Sequence, residues 1–506
     1  MKILVNVSPN FYRFAPHILR RLSTLEPDTR VSAVVQGGYP VYPEFVQRVS
    51  DLATDRLLDF SKLEKEWLAK PYKPGRLREY EALLGENAVN RIVQADRMVG
   101  WGFVRGGVIP KTPLADICQS DEMRHRYVLG LLDFLFDWFR KDPPDIVFTY
   151  AVAGALTFSL SLVAQHFGVP YRRLHEIRLG NRCILDSSII NMADPLKDLF
   201  QRACQDERVV ADQREEARQL LTRMRKEPAL PDYHVLMRKS VLKLPPWKHF
   251  AAMLWRTLRR REPDSLDQPY YMARFWWEIA RYFKAHRLVA AGPFEDWQPL
   301  AKRNIVYYPL HVDPEATTMV LAPHATNQLM VIEALAKAIP AEWLLVVKDH
   351  YTMLGRRPAG FYDRLKAMPK VRLISPTVST FEVTQASRLV AVITGTAGWE
   401  AMQMGKPVLC MGPAHYQNVG EGFVLETNFT KLAEAVERAL DAPPVTDRTL
   451  ELYIAAMLKG SFPLPAPILN DGTVTDEFLE AQTATIDAIA TGLVEALEKP
   501  GLAATR

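Results

Sequence analysis

The sequence predicts an α/β protein in which two Rossmann-type parallel-sheet domains face a cleft, with a helical insertion between them. Three observations support this prediction. Short apolar runs alternate with helical segments near the N-terminus, and the same rhythm restarts at Arg303. Between these parts, residues 194–297 have few β-branched runs and show helical spacing of Leu, Met and Trp. With 506 residues, the chain is too long for one hydrophobic core.

Composition is typical of a soluble globular protein, with 48% hydrophobic and 24% charged residues. A net charge of +5 is too small to indicate a nucleic-acid partner. The four cysteines have neither metal-ligand nor redox spacing, so we expect no disulfides and a reducing cytoplasm. The N-terminal apolar run is too short for a signal peptide, and none approaches the roughly 20 residues that span a bilayer. We therefore expect a cytoplasmic protein, free or peripheral at the inner face of the membrane.

The N-terminal half begins with a strand over 3–7, a helix over 17–25 and a strand over 31–35 that ends before two glycines. Strand, helix and strand in this order indicate the start of a parallel sheet. Residues 51–140 are expected to be largely helical. The sheet resumes at 145–150 and continues, after an apolar helix over 151–167, with a strand over 171–174.

The C-terminal half repeats the pattern from Arg303. Strands are expected at 305–308, 343–347, 371–374, 389–393 and 407–411, with helices between them. Their spacing is typical of βα repeats in a doubly wound sheet. The predicted organisation is an N-terminal domain over 1–193, a helical insertion and linker over 194–302, a C-terminal domain over 303–445, and C-terminal helices and a tail over 446–506.

A basic segment lies in the insertion. Residues 238–261 interleave Lys and Arg with aromatic and aliphatic side chains. Two interpretations remain open. The segment lies on an anionic membrane surface, or it is a helix whose apolar side packs on a domain while its cations stay solvated.

Polar side chains follow three strands of the C-terminal half, at the edge where an open parallel sheet binds ligands. His311 and Glu315 follow the first of these strands, and a basic loop with Lys348, His350, Arg356 and Arg357 follows the second. Lys, His and Arg on one loop supply the positive charge and N–H donors that a nucleotide phosphate needs, although a solvated basic loop has the same composition.

A glycine-rich turn follows the strand at 389–393. Thr394, Gly395 and Thr396 lead into a short helix, and Glu400 lies one turn further on. Threonine hydroxyls and free N–H groups at a helix N-terminus form an anion site, and Glu400 is placed to accept hydrogen bonds from ribose hydroxyls. Tyr416, after the next strand, is a candidate to cover a base or a sugar ring.

Together the stretches 308–315, 344–350, 393–401 and 405–407, with Gln328, resemble bacterial capsule polysaccharide biosynthesis proteins. That family includes the Kdo transferases of capsule export and related GT-B glycosyltransferases. The resemblance covers about residues 303–425. It implies a GT-B-like fold whose C-terminal domain binds a CMP- or UDP-linked sugar as co-substrate, without a further cofactor. The nucleotide-sugar residues that it implies are His311, Glu315, Lys348, His350, Thr394, Gly395, Thr396 and Glu400. Arg356 joins them as a candidate because it lies in the basic loop.

The N-terminal half offers fewer candidates. Glu176 and Arg178 follow the strand at 171–174 and should face the cleft. Glu176 is the candidate general base or nucleophile, with a structural ion pair to a neighbouring Arg as the alternative. Arg178 and Arg182 are candidates to hold a sugar carboxylate or phosphate. Asp96, with Arg97 and the loop over 100–107, is a lesser candidate for acceptor contact.

The favoured function is metal-independent glycosyl transfer from a nucleotide-sugar to a surface polysaccharide or glycolipid acceptor. The sequence has no Asp-Xaa-Asp after a strand, so Lys, Arg and a helix N-terminus are expected to stabilise the leaving phosphate. Two alternatives stay open. A non-hydrolysing nucleotide-sugar epimerase would need several acids and a His gathered in the cleft, whereas a glycan-assembly protein would bind the nucleotide-sugar without catalysis.

Overall fold

The computed structural model describes most of the chain, and the fold is given for that part. The described residues are 1–103, 106–150, 153–187, 189, 193–226, 241–244, 246–259, 263, 265–465, 468 and 474–498.

The first sheet is built mainly from the N-terminal half. Its strands are β1 Lys2–Val7, β2 Arg30–Val35, β3 Thr54–Asp59, β4 Ile146–Thr149, β5 Tyr171–Glu176, β6 Arg182–Asp186 and β13 Phe462–Pro463. The order across the sheet is β13-β6-β5-β4-β1-β2-β3. The strands from β5 to β3 pair in parallel, whereas β6 and β13 are antiparallel to their neighbours. Five of the six residues of β1 are buried, as expected for a strand with helices on both faces.

The second sheet lies in the C-terminal half and is parallel throughout. Its strands are β7 Ile305–Pro309, β8 Leu344–Lys348, β9 Val371–Ile374, β10 Leu389–Val392, β11 Val408–Cys410 and β12 Phe423–Leu425. They are arranged in the order β12-β11-β10-β7-β8-β9. The strand order reverses beside β7, so the loops after β7 and β10 diverge and leave a crevice at the sheet edge. Two such sheets in one chain confirm the predicted α/β, GT-B-like fold class.

Helices cover both sheets. Those that follow strands of the first sheet are Ala15–Leu25, Val41–Arg48, Phe60–Ala69, Pro74–Leu84, Ala88–Ala95, Pro113–Ile117, Asp121–Lys141 and Ala155–Phe167. Those between the sheets are Asp194–Gln205, Arg214–Lys226, Trp247–Arg259, Tyr271–Ala291 and Trp297–Leu300. Those of the second sheet and the chain end are Gln328–Ala338, Phe361–Ala367, Thr380–Ala386, Thr396–Gln403, Leu432–Asp441, Asp447–Lys459, Asp476–Glu480 and Thr483–Glu498.

The end of the chain returns to the first sheet. Ile489 and Leu493 of the last helix are buried in one cluster with Ile3 and Leu19. Arg21 Nε lies 2.5 Å from Asp487 Oδ1, and Arg13 Nη2 lies 2.9 Å from Asp476 Oδ1. The C-terminal segment thus completes the N-terminal core, because its apolar helix face covers β1 and the first helix.

Residues 51–140 are largely helical, as predicted, but they also contain the strand β3. β3 is an edge strand whose first three residues are exposed, so its sequence lacks a clear apolar run. Arg182 does not face the cleft, because it lies in β6 and donates to the carbonyl oxygens of Leu458 (3.0 Å) and Ser461 (2.6 Å). It holds the returning chain in place.

None of the helices in the described residues is long and apolar enough to cross a membrane. Of the basic segment 238–261, the residues Arg238, Lys239, Arg260 and Arg261 lie outside the described part. The predicted domain bounds stay a prediction.

Candidate functional site

A cavity of about 780 Å³ lies between the two sheets. Loops after β5 line it from the first sheet, and loops after β7, β8 and β10 line it from the second. Because these are the carboxyl ends of parallel strands, their polar loops converge at one edge. Eleven predicted site residues line the cavity: Glu176, Arg178, His311, Glu315, Lys348, His350, Arg356, Thr394, Gly395, Thr396 and Glu400.

Asp96, the lesser candidate for acceptor contact, is the exception. It is not part of the cavity lining. Its Oδ1 accepts from the N–H groups of Met98 (2.8 Å) and Val99 (3.1 Å), and its Oδ2 accepts from the N–H of Ala155 (3.2 Å). Both oxygens are therefore engaged with backbone groups, one of them at the start of the helix Ala155–Phe167. Asp96 braces a turn and a helix end.

The glycine-rich turn after β10 is tightly packed. The Tyr416 hydroxyl donates to the Gly395 carbonyl at 2.7 Å, and a Cβ on Gly398 would lie 2.2 Å from that hydroxyl oxygen. Tyr416 is buried and its hydroxyl supports the turn, but it also belongs to the cavity lining, so its role in covering a base or a sugar ring stays a prediction. Thr394 Oγ1 is buried and has no partner among the described residues. This hydroxyl lies beside the N-terminus of the helix Thr396–Gln403, and an anion site at this turn stays a prediction.

His311 presents a second unpaired donor. Its Nε2 accepts from the Thr394 N–H at 3.4 Å, which assigns the ring proton to Nδ1. Burial lowers the pKa of His311 to about 3, and His350 and Arg357 nearby act in the same direction. The ring is therefore neutral. Its Nδ1 is buried in the cavity wall without a partner among the described residues.

Lys348 and Glu400 both line the cavity and influence each other electrostatically. Lys348, at the end of β8, is buried and donates from Nζ to Thr380 Oγ1 at 2.6 Å. Burial raises the pKa of Glu400 to about 7, and the positive charge of Lys348 opposes this rise. Near neutral pH, Glu400 is thus divided between a carboxylate and a neutral carboxyl group that can donate.

His350 organises the loop after β8. Its Nδ1 lies 2.7 Å from Thr352 Oγ1 and 3.3 Å from the Thr352 N–H, so the side chain caps the short turn Tyr351–Met353. The cap fixes the orientation of the ring, and His350 is part of the cavity lining.

A charged cluster lies between the two sheets, with Arg97 and Arg178 on the first-sheet side and Glu315 and Arg356 in the loops after β7 and β8. Burial raises the pKa of Glu315, and the positive charges of Arg178, Arg97 and Arg356 oppose the rise. Burial also lowers the pKa of Arg356 to about 10, with Arg281 and Arg97 acting in the same direction. Several guanidinium groups around one carboxylate leave positive charge in excess, which favours an anionic ligand.

Glu176 forms the ion pair that was predicted as the alternative to catalysis. Arg178 Nη1 donates to Glu176 Oε2 at 2.9 Å, and the two side chains are 34% and 39% exposed. Arg178 has a φ of 57°, in the left-handed region. The backbone is therefore held so that this guanidinium turns back towards Glu176 and the cavity. Glu176 itself keeps an open side towards the cavity.

Residues 281–447 match the family of capsule polysaccharide biosynthesis proteins. The resemblance inferred from the motifs is confirmed for this part of the chain. We call residues 281–447 the capsule-family region. It contains every predicted nucleotide-sugar residue from His311 to Glu400, whereas the first sheet lies outside it. No curated protein matches the chain.

Several solved structures are distantly similar. KpsC β-Kdo 2,4 transferase from Thermosulfurimonas dismutans has 14% identity and a TM-score of 0.33, covering 62% of this chain and 80% of that one. The β-Kdo 2,7 transferase of KpsC from the same organism has 16% identity and a TM-score of 0.30, covering 71% and 89%. UDP-GlcNAc 2-epimerase from Neisseria meningitidis, bound to UDP-GlcNAc, has 12% identity and a TM-score of 0.27, covering 99% and 100%. These similarities are too distant to assign an activity.

Sequence reasoning missed the central ion pairs of the capsule-family region. Arg357 is buried and donates to Asp349, to the His311 carbonyl (2.8 Å) and to the Gly106 carbonyl (2.9 Å). Its Nη1 also lies 3.4 Å from Asp313 Oδ2. Arg357 therefore ties the loops after β7 and β8 to the first domain. Arg357 pairs with two acids that lie eight and forty-four residues earlier in the chain. Partners this far apart form no local sequence motif, so the pairing could not be predicted.

A buried pair on the first sheet was missed as well. His175 lines the cavity, and its Nδ1 lies 3.0 Å from Asp186 Oδ2, which also accepts from Arg173 at 2.8 Å. Burial lowers the pKa of His175 to about 4, helped by Arg173, so the ring is neutral. The pair arises because β5 and β6 form an antiparallel hairpin that the sequence did not predict. Among the described residues, no group of three His, Cys, Asp or Glu side chains is arranged to hold a metal.

Proposed function

We propose that the chain is a GT-B-type glycosyltransferase that moves a sugar from a CMP- or UDP-linked donor to a surface polysaccharide or glycolipid acceptor. The observation that carries the proposal is the convergence of three strand-end loops of the capsule-family region on one cavity. The wall of that cavity contains two buried polar atoms that have no hydrogen-bond partner among the described residues, Thr394 Oγ1 and His311 Nδ1. A buried polar group without a hydrogen-bond partner costs folding free energy. We therefore expect a bound ligand to supply the missing partners of these two groups.

The donor phosphates would lie between the turn at Thr394 and the basic loop at Lys348. Lys348 and the N-terminus of the helix Thr396–Gln403 supply fixed positive charge, and His311 supplies a neutral N–H. Such preorganised donors stabilise the charge that develops on a leaving phosphate. Glu400, one turn into the helix, would meet ribose hydroxyls.

The acceptor would enter from the first-sheet side. There Glu176, paired with Arg178 and partly exposed, is the proposed general base or nucleophile. The Arg97, Arg178 and Arg356 cluster would hold an anionic group of the sugar or the acceptor. In this reading Arg178 serves two roles, because it also orients the Glu176 carboxylate.

A thermal-shift screen against CMP, UDP, GDP and their sugar conjugates tests the proposal. One nucleotide class should raise Tm, because binding only the native state stabilises it. Incubation with the matching nucleotide-sugar and an acceptor glycan should then release the free nucleotide. A screen in which none of these nucleotides shifts Tm contradicts the transferase proposal.

A nucleotide-sugar epimerase remains the second candidate, because the cavity gathers the acids and His residues that this activity needs. Glu176, Glu315 and His175 all line it. The two activities differ in their need for an acceptor. Epimerisation converts a UDP-sugar to its epimer with no acceptor present, a change that proton NMR of the product mixture detects, whereas the transferase leaves the sugar unchanged under those conditions.

A cytoplasmic location completes the proposal. The four cysteines are unpaired in the structure, and three of them are buried: Cys118, Cys183 and Cys410. Free buried thiols suit a reducing compartment, where nucleotide-sugars are also at hand for the proposed reaction.

A further inference from the structure

Two helices of the insertion form a hairpin, and the side chains on its inner side pack between the two helices. Phe250 of the helix Trp247–Arg259 lies with its ring 4.4 Å from that of Phe275 in the helix Tyr271–Ala291, and Met253 is buried. His249 Nε2 lies 3.4 Å from Glu278 Oε2 across the same contact. These residues satisfy the packing side of the first helix.

A second apolar face of this hairpin has no packing partner among the described residues. Trp247, Leu254 and Leu258 are spaced seven and four residues apart, so they form one stripe of the helix, which lies beside the row of Phe250 and Met253. Their exposed fractions are 74%, 39% and 74%. Of the two interpretations of this segment, packing accounts only for the inner residues, and they pack on the helix Tyr271–Ala291 of the insertion itself. The outer stripe, with Trp255 at 56%, lies in solvent.

The second helix contributes to the same kind of surface. Trp276 and Phe283 are seven residues apart and are 61% and 63% exposed. We call the six exposed side chains on the two helices the hairpin surface: Trp247, Leu254, Trp255, Leu258, Trp276 and Phe283. Exposed apolar groups at this density are rare on a soluble monomer and indicate a binding surface.

The charges around the hairpin surface are almost all positive. The two helices contain seven Lys and Arg residues but one acid, Glu278. That acid is paired with Arg274 at 3.0 Å, and its side chain is only 16% exposed. Lys248, Arg259, Lys284 and Arg287 are exposed beside the apolar stripes. Tryptophan flanked by Lys and Arg is suited to the interface of a bilayer with anionic headgroups, where rings enter the headgroup region and the cations remain at the phosphates.

We propose that the hairpin surface docks the protein on an anionic lipid bilayer, with the helices lying in the plane of the interface. The hairpin is also seated against the cavity. Trp277 Nε1 donates to the Val108 carbonyl at 3.1 Å, and the Arg356 guanidinium lies 5.8 Å from the Trp277 ring centre. Docking therefore brings the Arg356 side of the cavity close to the lipid surface. The consequence that the acceptor is lipid-borne rests on the proposed function, whereas the binding itself does not.

Vesicle flotation of the full chain tests the proposal. Wild type should float with vesicles of phosphatidylglycerol and phosphatidylcholine, and binding should fall at high salt and with phosphatidylcholine alone. The double variant Trp247→Gln with Leu258→Gln should lose about ten-fold in binding, since two apolar anchors are removed. Its matched control, Leu83→Gln with Met330→Gln, changes two exposed apolar helical residues elsewhere and should bind like wild type.

Charge is tested separately with Lys248→Gln and Lys284→Gln, each expected to weaken binding by about five-fold. Lys62→Gln with Lys65→Gln, two exposed lysines on another helix, is the control. Wild type that fails to bind anionic vesicles, or hairpin variants that bind unchanged, overturns the proposal. Light scattering that shows a vesicle-independent dimer, lost in the Trp247 variant, assigns the surface to a second copy of the chain instead. An unchanged nucleotide-induced Tm shift in the hairpin variants shows that the donor site is intact, so failures of the two proposals are told apart.

Discussion

Arg357 donates to both carboxylate oxygens of Asp349, with Nη2 2.6 Å from Oδ1 and Nε 3.1 Å from Oδ2. The two side chains are 1% and 0% exposed. Asp349 also accepts a hydrogen bond from the Tyr362 hydroxyl at 2.7 Å, so both of its carboxylate oxygens have hydrogen-bond donors. Arg357 also donates to the His311 carbonyl. The buried pair of Arg357 and Asp349 therefore fixes the position of His311, which lines the cavity.

Arg357→Leu should destabilise the fold by about 3–5 kcal/mol, because it leaves the Asp349 and Asp313 carboxylates buried without their cation. Urea unfolding measures the loss. Arg372→Leu removes an exposed arginine that lies 3.5 Å from Glu295 and should cost less than about 1 kcal/mol. Equal losses in the two variants would show that the buried network is not a main support of the cavity.

Glu176→Gln should lower turnover by about 100-fold or more while nucleotide-induced stabilisation is kept, because the amide cannot accept a proton but fills the same space. Initial rates and thermal shifts are measured on the same samples. Glu86→Gln, an exposed glutamate on another part of the first domain, is the control. Full activity of the Glu176 variant would assign the role elsewhere in the cavity, with Glu315 and His175 the next candidates.

His350→Ala should weaken nucleotide binding about ten-fold, because it removes both a cavity donor and the cap of the turn Tyr351–Met353. Isothermal titration with the nucleotide found by the screen measures this change. His166→Ala, on an exposed helix end, should bind normally. A variant with unchanged affinity but lower turnover would place His350 at the reacting atoms instead of the phosphates.

Glu400→Gln should become more stable relative to wild type as pH rises from 5 to 8. Burial raises the pKa of Glu400 to about 7, above its ordinary value of 4.5. A raised carboxyl pKa means that the contribution of Glu400 to stability is complete below pH 4.5 and is lost as pH rises through 7. The variant lacks this loss, so the stability difference should grow by about 1–2 kcal/mol. Parallel denaturant curves at the two pH values measure it, and a constant difference would contradict a raised pKa.

Gly398→Ala should destabilise the turn after β10 by about 1–3 kcal/mol and weaken nucleotide binding, because its Cβ would lie 2.2 Å from the Tyr416 hydroxyl. The clash also threatens the bond from Tyr416 to the Gly395 carbonyl. Gly75→Ala is the matched control, since its Cβ would meet nothing within 4 Å. Thermal unfolding compares the two, and similar Tm values would mean that the turn tolerates a side chain.

The sequence by itself determined the central strands of the two sheets and the main polar residues of the cavity lining. Strands such as β1 and β10 are continuous apolar runs, and runs of this kind are buried in parallel sheets whatever their neighbours. Since the carboxyl ends of parallel strands share one edge, the residues after β7, β8 and β10 were predictable as one site from their order in the chain. The motifs in those loops also pointed to the capsule family.

Only the tertiary structure decided which edge strands form and which side chains pair with each other. β3 and β6 have short or polar sequences because they lie at or near sheet edges, so their patterns are weak. The contact of Arg357 with Asp349 and Asp313, the pair of His175 with Asp186, and the turning of Asp96 towards a helix end all depend on chain segments that meet only in the fold. The exposure of Trp247 and Leu258 is of the same kind, because an apolar stripe has the same spacing whether it is buried or left in solvent.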